Sequence, residues 1–435
     1  MKKKEKIANV LNNRVVKNAG WLIFGKIAQM CINLFVGLLT ARYLGPSNYG
    51  VINYGSAYTA FFLNLCTLGI NSVLVKEFVD YPNEEGKIIG TTLGLKGVAS
   101  VLSAISIMLI SSFIDANEPT TILVVALCSI GLVFNILDTF NYWFQSKLQS
   151  KVTAMASLIA FAVTAAYKVY LMVTDKSVVY FAFATSIDYM CIGVLLILVY
   201  KRYKGSKLCF SWEYGKRLLK SSTPFIIPGL MVAIYGQTDK MMLKQMISDA
   251  EIGYYSTAVS ICTMWCFILS AIIDSMYPII MEAYNENEDD FIHKNRILYT
   301  IIFYCCIFVS VFITVFAKII VKMLYGNAYL PTVNPLRIIT WYTAFSYLGL
   351  ARNAWIVCKN KQKYLTPVYA SAALANVVLN LIFIPLYGAS GAAVASLIAQ
   401  ILTTLVIPFM IPALKENSKL MIEAILFKGV WKKEH

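Results

Sequence analysis

The sequence predicts an all-α polytopic membrane protein of about twelve transmembrane helices. Four observations carry that prediction. The 435 residues are 58% hydrophobic and only 14% charged, where a soluble domain carries about 25% charge. Mean hydropathy is +0.65. The apolar segments run about 20 residues each, the length that crosses a hydrocarbon core, whereas a β-barrel would show short alternating segments. Finally, lysine and arginine concentrate in every second connection, the signature of a chain threaded repeatedly through a bilayer.

Taken in order, the spans fall at roughly 18–41, 50–71, 88–112, 120–144, 152–174, 178–200, 221–246, 252–281, 297–323, 335–358, 364–386 and 391–413. The opening Met1-Lys2-Lys3-Lys4-Glu5-Lys6 resembles the start of a signal peptide. The chain then stays polar to Asn18 and enters a full-length span, so retention is expected. Span one carries Lys26, Gln29, Asn33, Gly37 and Thr40 at helical spacing. It closes at Arg42-Tyr43-Leu44-Gly45-Pro46-Ser47-Asn48-Tyr49-Gly50. Gly45 accepts the left-handed turn that ends a helix, and Pro46 cannot continue one. Span two carries Asn53, Ser56, Asn64, Thr67 and Asn71 on one face.

The central basic stretch from Lys201 to Lys220 divides the chain into two sets of six spans. This sets lobes at 1–205 and 206–413 and a basic cytoplasmic tail at 414–435. A six-span half followed by its copy keeps its orientation, so the halves should be parallel repeats. Span eight opens Glu251-Ile252-Gly253-Tyr254-Tyr255, echoing Asn48-Tyr49-Gly50, and continues with Ser256, Ser260, Thr263, Ser270 and Asp274 on one face. Span seven carries Gly229, Gly236, Lys240 and Lys244. Pro224, Pro228 and Pro278 should bend spans seven and eight. The run from Glu282 to Asp290 reads as an acidic inner loop, and the tail as an amphipathic helix on the membrane surface.

Net charge of +15 could indicate nucleic acid. With the N-terminus inside, however, most of the 38 lysines and arginines fall on inner segments, so the charge is a topology signal with a secondary attraction to anionic lipid. No nucleic acid is expected as a partner. The ten cysteines lie mostly in apolar segments with no CxxC pair and read as small hydrophobes. His293 and His435 are the only histidines, which disfavours a histidine-based metal or catalytic centre. No connection is long enough for an extramembrane domain.

Four stretches together resemble one family. They are Ala41 to Gly50; Asp138-Thr139-Phe140-Asn141-Tyr142-Trp143-Phe144-Gln145; Asp239-Lys240 leading to Ile252-Gly253-Tyr254-Tyr255-Ser256; and Tyr387-Gly388-Ala389-Ser390-Gly391-Ala392-Ala393. Over nearly its whole length the chain resembles the polysaccharide-transporter flippases of the multidrug/oligosaccharidyl-lipid/polysaccharide exporter superfamily. These include O-antigen and capsule repeat-unit flippases. The two extra C-terminal spans usual in flippases of peptidoglycan precursor are lacking. The resemblance implies two six-helix lobes around a V-shaped central cavity, open alternately to each side and lined by spans one, two, seven and eight. It implies a polyprenyl-diphosphate-linked oligosaccharide as cargo and the cytoplasmic membrane of a bacterium as location. It also implies polysaccharide polymerase and chain-length machinery as partners beside the lipid bilayer. No cofactor is expected; transport would couple to H+, Na+ or membrane potential.

Such cargo needs cations for its diphosphate and amides for its sugars. The substrate-binding candidates are Lys26, Gln29, Asn33, Arg42, Asn53, Asn64, Lys240 and Arg352. Lys26 leads them, because a charge near the middle of a span costs about 2.5–3.5 kcal/mol. Lys96 and Lys168 are further cations, and Asn71, Gln237, Asn376 and Asn380 further amides. The embedded acids Asp274, Asp239, Asp188 and Asp138 are ion-coupling candidates or internal partners for lysines, with Asp274 best placed on its stripe. Two other functions compete. A drug or metabolite antiporter of the same superfamily would want acidic groups where span one has Lys26. A membrane-embedded glycan-assembly enzyme would want a catalytic constellation on a long loop, and no DxD or histidine pair is present. No GxxxxGK[ST] loop is present to cradle a nucleotide.

Both termini should be cytoplasmic. Reporter fusions after Lys204 and at Trp431 should read internal, and one near Asn117 external. An external C-terminus rejects the two-half threading.

Overall fold

The structure, a computed structural model, describes residues 14–428. The basic arm before Arg14 and the end of the tail, including Trp431, lie outside the described residues. Among the described residues there is no strand. In chain order the helices are α1 (Arg14–Thr67), α2 (Asn71–Asp80), α3 (Glu85–Ile114), α4 (Pro119–Asn135), α5 (Thr139–Ser146), α6 (Ser150–Val173), α7 (Val178–Arg202) and α8 (Trp212–Met246). They continue as α9 (Asp249–Thr263), α10 (Cys266–Glu286), α11 (Glu288–Leu324), α12 (Val333–Cys358), α13 (Leu365–Ile401), α14 (Ile407–Met410) and α15 (Lys415–Ile425).

Nine stretches among the described residues are long and apolar enough to cross a membrane. Two of these, Phe24–Asp80 and Gln362–Met410, each hold two spans, broken at Gly45 (φ 71°) and Gly388 (φ 53°). α12 adds the twelfth. Its Arg337, Asn334, Arg352 and Asn353 dilute its hydropathy.

The chain forms two compact units, residues 1–44 with 51–233, and residues 45–50 with 234–435. Along the sequence the second set of spans begins after the central loop at 205/206. Compactness instead changes within α8, between Ala233 and Ile234. The first part of α8 packs with unit 1, where Ser222 and Leu218 are buried.

In unit 1, α3, α4, α6 and α7 pack side by side. The core at one end holds Phe78, Phe140, Trp143, Phe144 and Tyr200. Trp143 donates its Nε1–H to Glu85 at 2.8 Å, and Lys147 pairs with the same carboxylate. Gly86, Gly90 and Gly94 form a groove along α3 that receives the connection between α7 and α8. A Cβ at Gly86 would meet the Lys207 carbonyl oxygen at 2.1 Å, and one at Gly90 the Cys209 carbonyl oxygen at 2.4 Å. The Cys209 N–H donates to the Gly86 carbonyl at 3.2 Å.

In unit 2, α11, α12 and α13 form the centre, with α9 and α10 against α12. Residues 45–50 lie on the start of α9. An added Cβ at Gly50 would sit 1.8 Å from the Asp249 carbonyl oxygen, and one at Gly253 2.1 Å from that of Pro46. The Glu251 carboxylate accepts the Ala389 N–H at 2.5 Å, so it caps the helical arm that restarts after Gly388. Tyr49, Tyr254 and Tyr325 surround Tyr329 edge-on or tilted.

Several expectations are corrected. Span two ends at Thr67, and positive φ at Leu68 (51°) and Gly69 (66°) restarts the chain as α2, so Asn71 lies on a new helix. Span eight, read as one helix, is divided at Met264–Trp265 into α9 and α10, and Pro278 lies inside α10. The Ser260 and Thr263 hydroxyls bond back to Ser256 (2.8 Å) and Val259 (2.9 Å), competing for carbonyls just before the break. The acidic run from Glu282 is not a loop: Asn287 alone separates α10 from α11, and its side chain accepts the Asp289 N–H at 2.9 Å. Glu288, Asp289 and Asp290 then sit in the first turn of α11, where the helix dipole favours them. The tail helix α15 does not lie free on a surface. It packs on α11 with Leu420, Met421 and Ala424 buried. Asn417 donates to Tyr299 at 2.7 Å, and Arg296 to Glu423 at 2.7 Å.

The backbone crossing yields a prediction. Gly253→Ala should cost about 1–3 kcal/mol, because the two backbone segments must part to admit a methyl group. Gly236→Ala should be harmless, since nothing lies within 4 Å of that position. Thermal unfolding of the two variants in detergent measures the difference.

Candidate functional site

Unit 2 holds a buried carboxylate at the centre of a polar constellation. Asp239 lies on α8 and is only 4% exposed. Its Oδ1 accepts from the side-chain amides of Asn376 (3.0 Å) and Asn380 (2.6 Å), one turn apart on α13. Its Oδ2 accepts from the hydroxyls of Tyr255 on α9 and Ser396 on α13. Three helices therefore converge on one acid. A cavity of about 180 Å³ opens beside it, lined by Tyr235, Gln237, Lys240, Tyr342 and Ser396 among others. Tyr235 donates to Gln400 at 2.6 Å, and Gln400 to Thr404 at 3.1 Å. Thr404 lies in a π-helical turn, Leu402–Val406, directly after α13. Such turns recur at functional sites.

The arrangement suits a cation or a proton. A carboxylate deep among apolar helices is costly unless fully hydrogen-bonded. Here its lone pairs are met by neutral donors, and Asn376, Asn380 and Ser396 also carry oxygens. The Asn380 carbonyl oxygen is buried without a partner. In the geometry present the amides turn their nitrogens and the hydroxyls their hydrogens toward Asp239, and the Asn376 oxygen accepts from Asn380 at 3.1 Å, so these oxygens would have to reorient to ligate a cation. Lys240, half-buried on the same cavity, lies within electrostatic reach of Asp239.

Unit 1 holds a second polar centre. Lys96 on α3 is 1% exposed. It donates to the Asn71 side chain and, at 3.4 Å, to Thr139, and lies 5.8 Å from the Tyr142 ring centroid. Asp138, within electrostatic reach, accepts from Asn141 at 3.1 Å. Asp188 accepts from Thr164 and is in reach of Lys168.

The remaining candidates are dispersed. Lys26 and Asn33 are exposed on α1 and Gln29 is half-exposed beside them. Lys26 makes no hydrogen bond or ion pair with any described residue. Arg42 is exposed, while Asn53 and Asn64 are half-buried. Asp274 is exposed on α10 with no such partner among the described residues. Arg352 is enclosed within unit 2, 1% exposed, with Nη1 3.4 Å from the Thr403 carbonyl in the π-helical turn. In this conformation it offers no surface to a ligand. Sequence reasoning named Asp239, Asn376 and Asn380 separately but missed Tyr255 and Ser396. The available signal was the Asn376-x-x-x-Asn380 spacing, which puts two amides on one helix face.

Residues 15–284 match the family model described as polysaccharide biosynthesis protein. The chain belongs to that family. No curated protein sequence matches it. Among solved structures, an inward-facing multidrug resistance MATE family transporter of the MOP superfamily is similar at 13% identity and a TM-score of 0.68. That alignment covers 91% of this chain and 96% of the other. The lipid II flippase MurJ, in an inward closed conformation, is similar at 16% identity and a TM-score of 0.67, covering 95% and 94%. A MOP superfamily transporter from Pyrococcus furiosus, described as having a binding pocket of reverse polarity, gives 13% and 0.61 over 94% and 96%. At these identities the likeness is one of fold, and the fold is that of MOP superfamily transporters.

The constellation in unit 2 predicts a graded loss. Asn380→Ala removes one of four donors to Asp239 and should destabilise the protein by about 1.5–3 kcal/mol, the range for a hydrogen bond to a charged group. Asn380→Ala combined with Asp239→Asn should cost less than the sum, as thermal unfolding of single and double variants will show.

Proposed function

We propose that this chain is a flippase that moves a polyprenyl-diphosphate-linked oligosaccharide across the bacterial cytoplasmic membrane by alternating access. Both termini would be cytoplasmic, and the cargo would feed surface polysaccharide assembly by polymerase and chain-length machinery. Membership of a polysaccharide biosynthesis family and the fold of a transporter support the reading.

The observation that carries it is Lys26. A cation near the middle of a membrane-length helix, exposed and without a counter-charge among the described residues, calls for an anionic partner. A diphosphate supplies one, and Gln29 and Asn33 extend the same polar stripe toward its first sugar. The lipid tail needs no protein site, because it stays in the bilayer.

Two forces can drive the step. A headgroup of roughly two negative charges gains on the order of 4–5 kcal/mol per 100 mV on leaving a negative interior. A monovalent cation or proton at Asp239 can add to this, because binding there would change the charge that α8, α9 and α13 share. Asp239 replaces Asp274 as the preferred coupling residue, since its partners come from two other helices, α9 and α13, and Asp274 has none among the described residues.

The test is flipping of labelled lipid-linked oligosaccharide in proteoliposomes, with potential, proton and sodium gradients imposed separately. Lys26→Glu should slow flipping at least tenfold while Lys26→Arg retains most activity. Asp239→Asn should abolish any dependence on the ion gradient and leave that on potential. Equal rates for Lys26→Glu and the unaltered protein reject the diphosphate contact.

A further inference from the structure

Unit 1 contains a cleft of about 340 Å³ at the break between α1 and α2. Its polar lining comes from Asn64 and Asn71 on either side of the break, and from Asn135, Asp138 and Tyr142 around the turn between α4 and α5. Phe225 of α8 closes one wall with an exposed ring. Much of this hydrogen-bonding capacity is unused. The side-chain amides of Asn64 and Asn135 and the Tyr142 hydroxyl bond to no described residue, and Asp138 accepts on one oxygen only. These unpaired groups face the cleft, where water or a polar ligand can satisfy them.

The electrostatics select among ligands. No lysine or arginine lines the cleft. Lys96 lies behind the lining, 1% exposed, donating to Asn71 and Thr139, and its charge is offset by Asp138. A phosphate would find no free cation and would meet the Asp138 carboxylate. A neutral ligand rich in hydroxyls finds three amides, a carboxylate oxygen, a phenol and two ring faces, the set that hydroxyl-bearing rings require.

We propose that this cleft is a sugar-binding subsite, taking one uncharged sugar residue, with hydroxyl or acetamido substituents, of the transported glycan. The amides of Asn64 and Asn135 and the free Asp138 oxygen bond the ring substituents, and Phe225 or Tyr142 covers its apolar face. Lys96 is a positioning residue: it fixes the Asn71 side chain and does not reach the ligand. The broken backbone at Leu68–Gly69 is what opens the space. Gly229 keeps it open, because a Cβ there would lie 2.9 Å from the Asn64 amide oxygen. The identity of the ligand as part of a lipid-linked cargo rests on the flippase reading; recognition of a sugar does not.

The experiment separates the two. Full-length protein in nanodiscs is mixed with free monosaccharides, namely glucose, galactose, rhamnose, N-acetylglucosamine and N-acetylgalactosamine, and saturation-transfer NMR is recorded. At least one sugar should receive saturation. The signal should fall about tenfold in affinity in Asn135→Ala, the loss of one good hydrogen bond, and vanish in Gly229→Val, which fills the space without removing a polar group. Lys96→Met should weaken binding and Lys96→Arg restore it. Thermal unfolding confirms that each variant is folded, and any that is not is replaced by Asn64→Ser. Absence of transfer from every sugar, unchanged binding in folded Asn135→Ala and Gly229→Val, or displacement by inorganic diphosphate overturns the proposal. Sugar binding that is lost in these variants, together with no flipping of lipid-linked oligosaccharide by the unaltered protein, upholds the subsite and rejects the flippase.

Discussion

The contact on which unit 2 depends is one of backbone against backbone. Pro46 to Gly50 cross Asp249 to Gly253 so closely that neither glycine has room for a methyl group. Glu251 then reaches the Ala389 N–H beyond Gly388. Three separate stretches of chain are thereby locked within a few residues of one another. α8 ends at Met246, just before this crossing, and α13 turns at Gly388 beside it. Asp239, Asn376, Asn380 and Ser396 lie within a few turns of these anchored points. The buried acid keeps its ring of donors because the helices that carry them cannot slide.

Both units place buried acids within electrostatic reach of lysines, and unit 2 adds a ring of neutral donors around Asp239. In unit 1 acids face lysines, as Asp138 does Lys96 and Asp188 does Lys168. Opposite charges in a low-dielectric interior offset part of each other's desolvation. In unit 2 Asp239 is surrounded mainly by neutral amides and hydroxyls, which stabilise negative charge without cancelling it. Lys26 fits neither pattern, standing exposed on its helix.

Much of the fold was legible because a bilayer leaves few options. Twenty apolar residues must be helical, and glycine followed by proline at 45–46 must interrupt a helix. The Asn48-Tyr49-Gly50 echo at Glu251 to Tyr254 marked two stretches that the structure brings into contact. The features that stayed hidden depend on neighbours. The break at Met264–Trp265 arises with hydroxyl competition for carbonyls, which composition does not reveal, whereas Pro278 is accommodated inside α10. The apolar face of the tail fits a membrane surface and the flank of α11 equally well, so periodicity could not choose between them. Asp239 was visible as an embedded acid, but its partners lie 16 to 157 residues away, beyond any periodicity. Lys96 was visible as a cation, while its link to Asn71 depended on an unforeseen turn at Leu68.

The docking of α15 on α11 also has a consequence in time. Asn417 and Tyr299 are 118 residues apart, and Glu423 and Arg296 are 127. At a synthesis rate of about 5–20 residues per second, Tyr299 and Arg296 leave the ribosome on the order of 10 s before the groups that cover them. During that interval the end of α11 is inserted but unsealed, and the nascent chain carries a bare polar patch at the membrane edge. Arrival of α15 closes it. A chain interrupted before Lys415 would keep that patch uncovered.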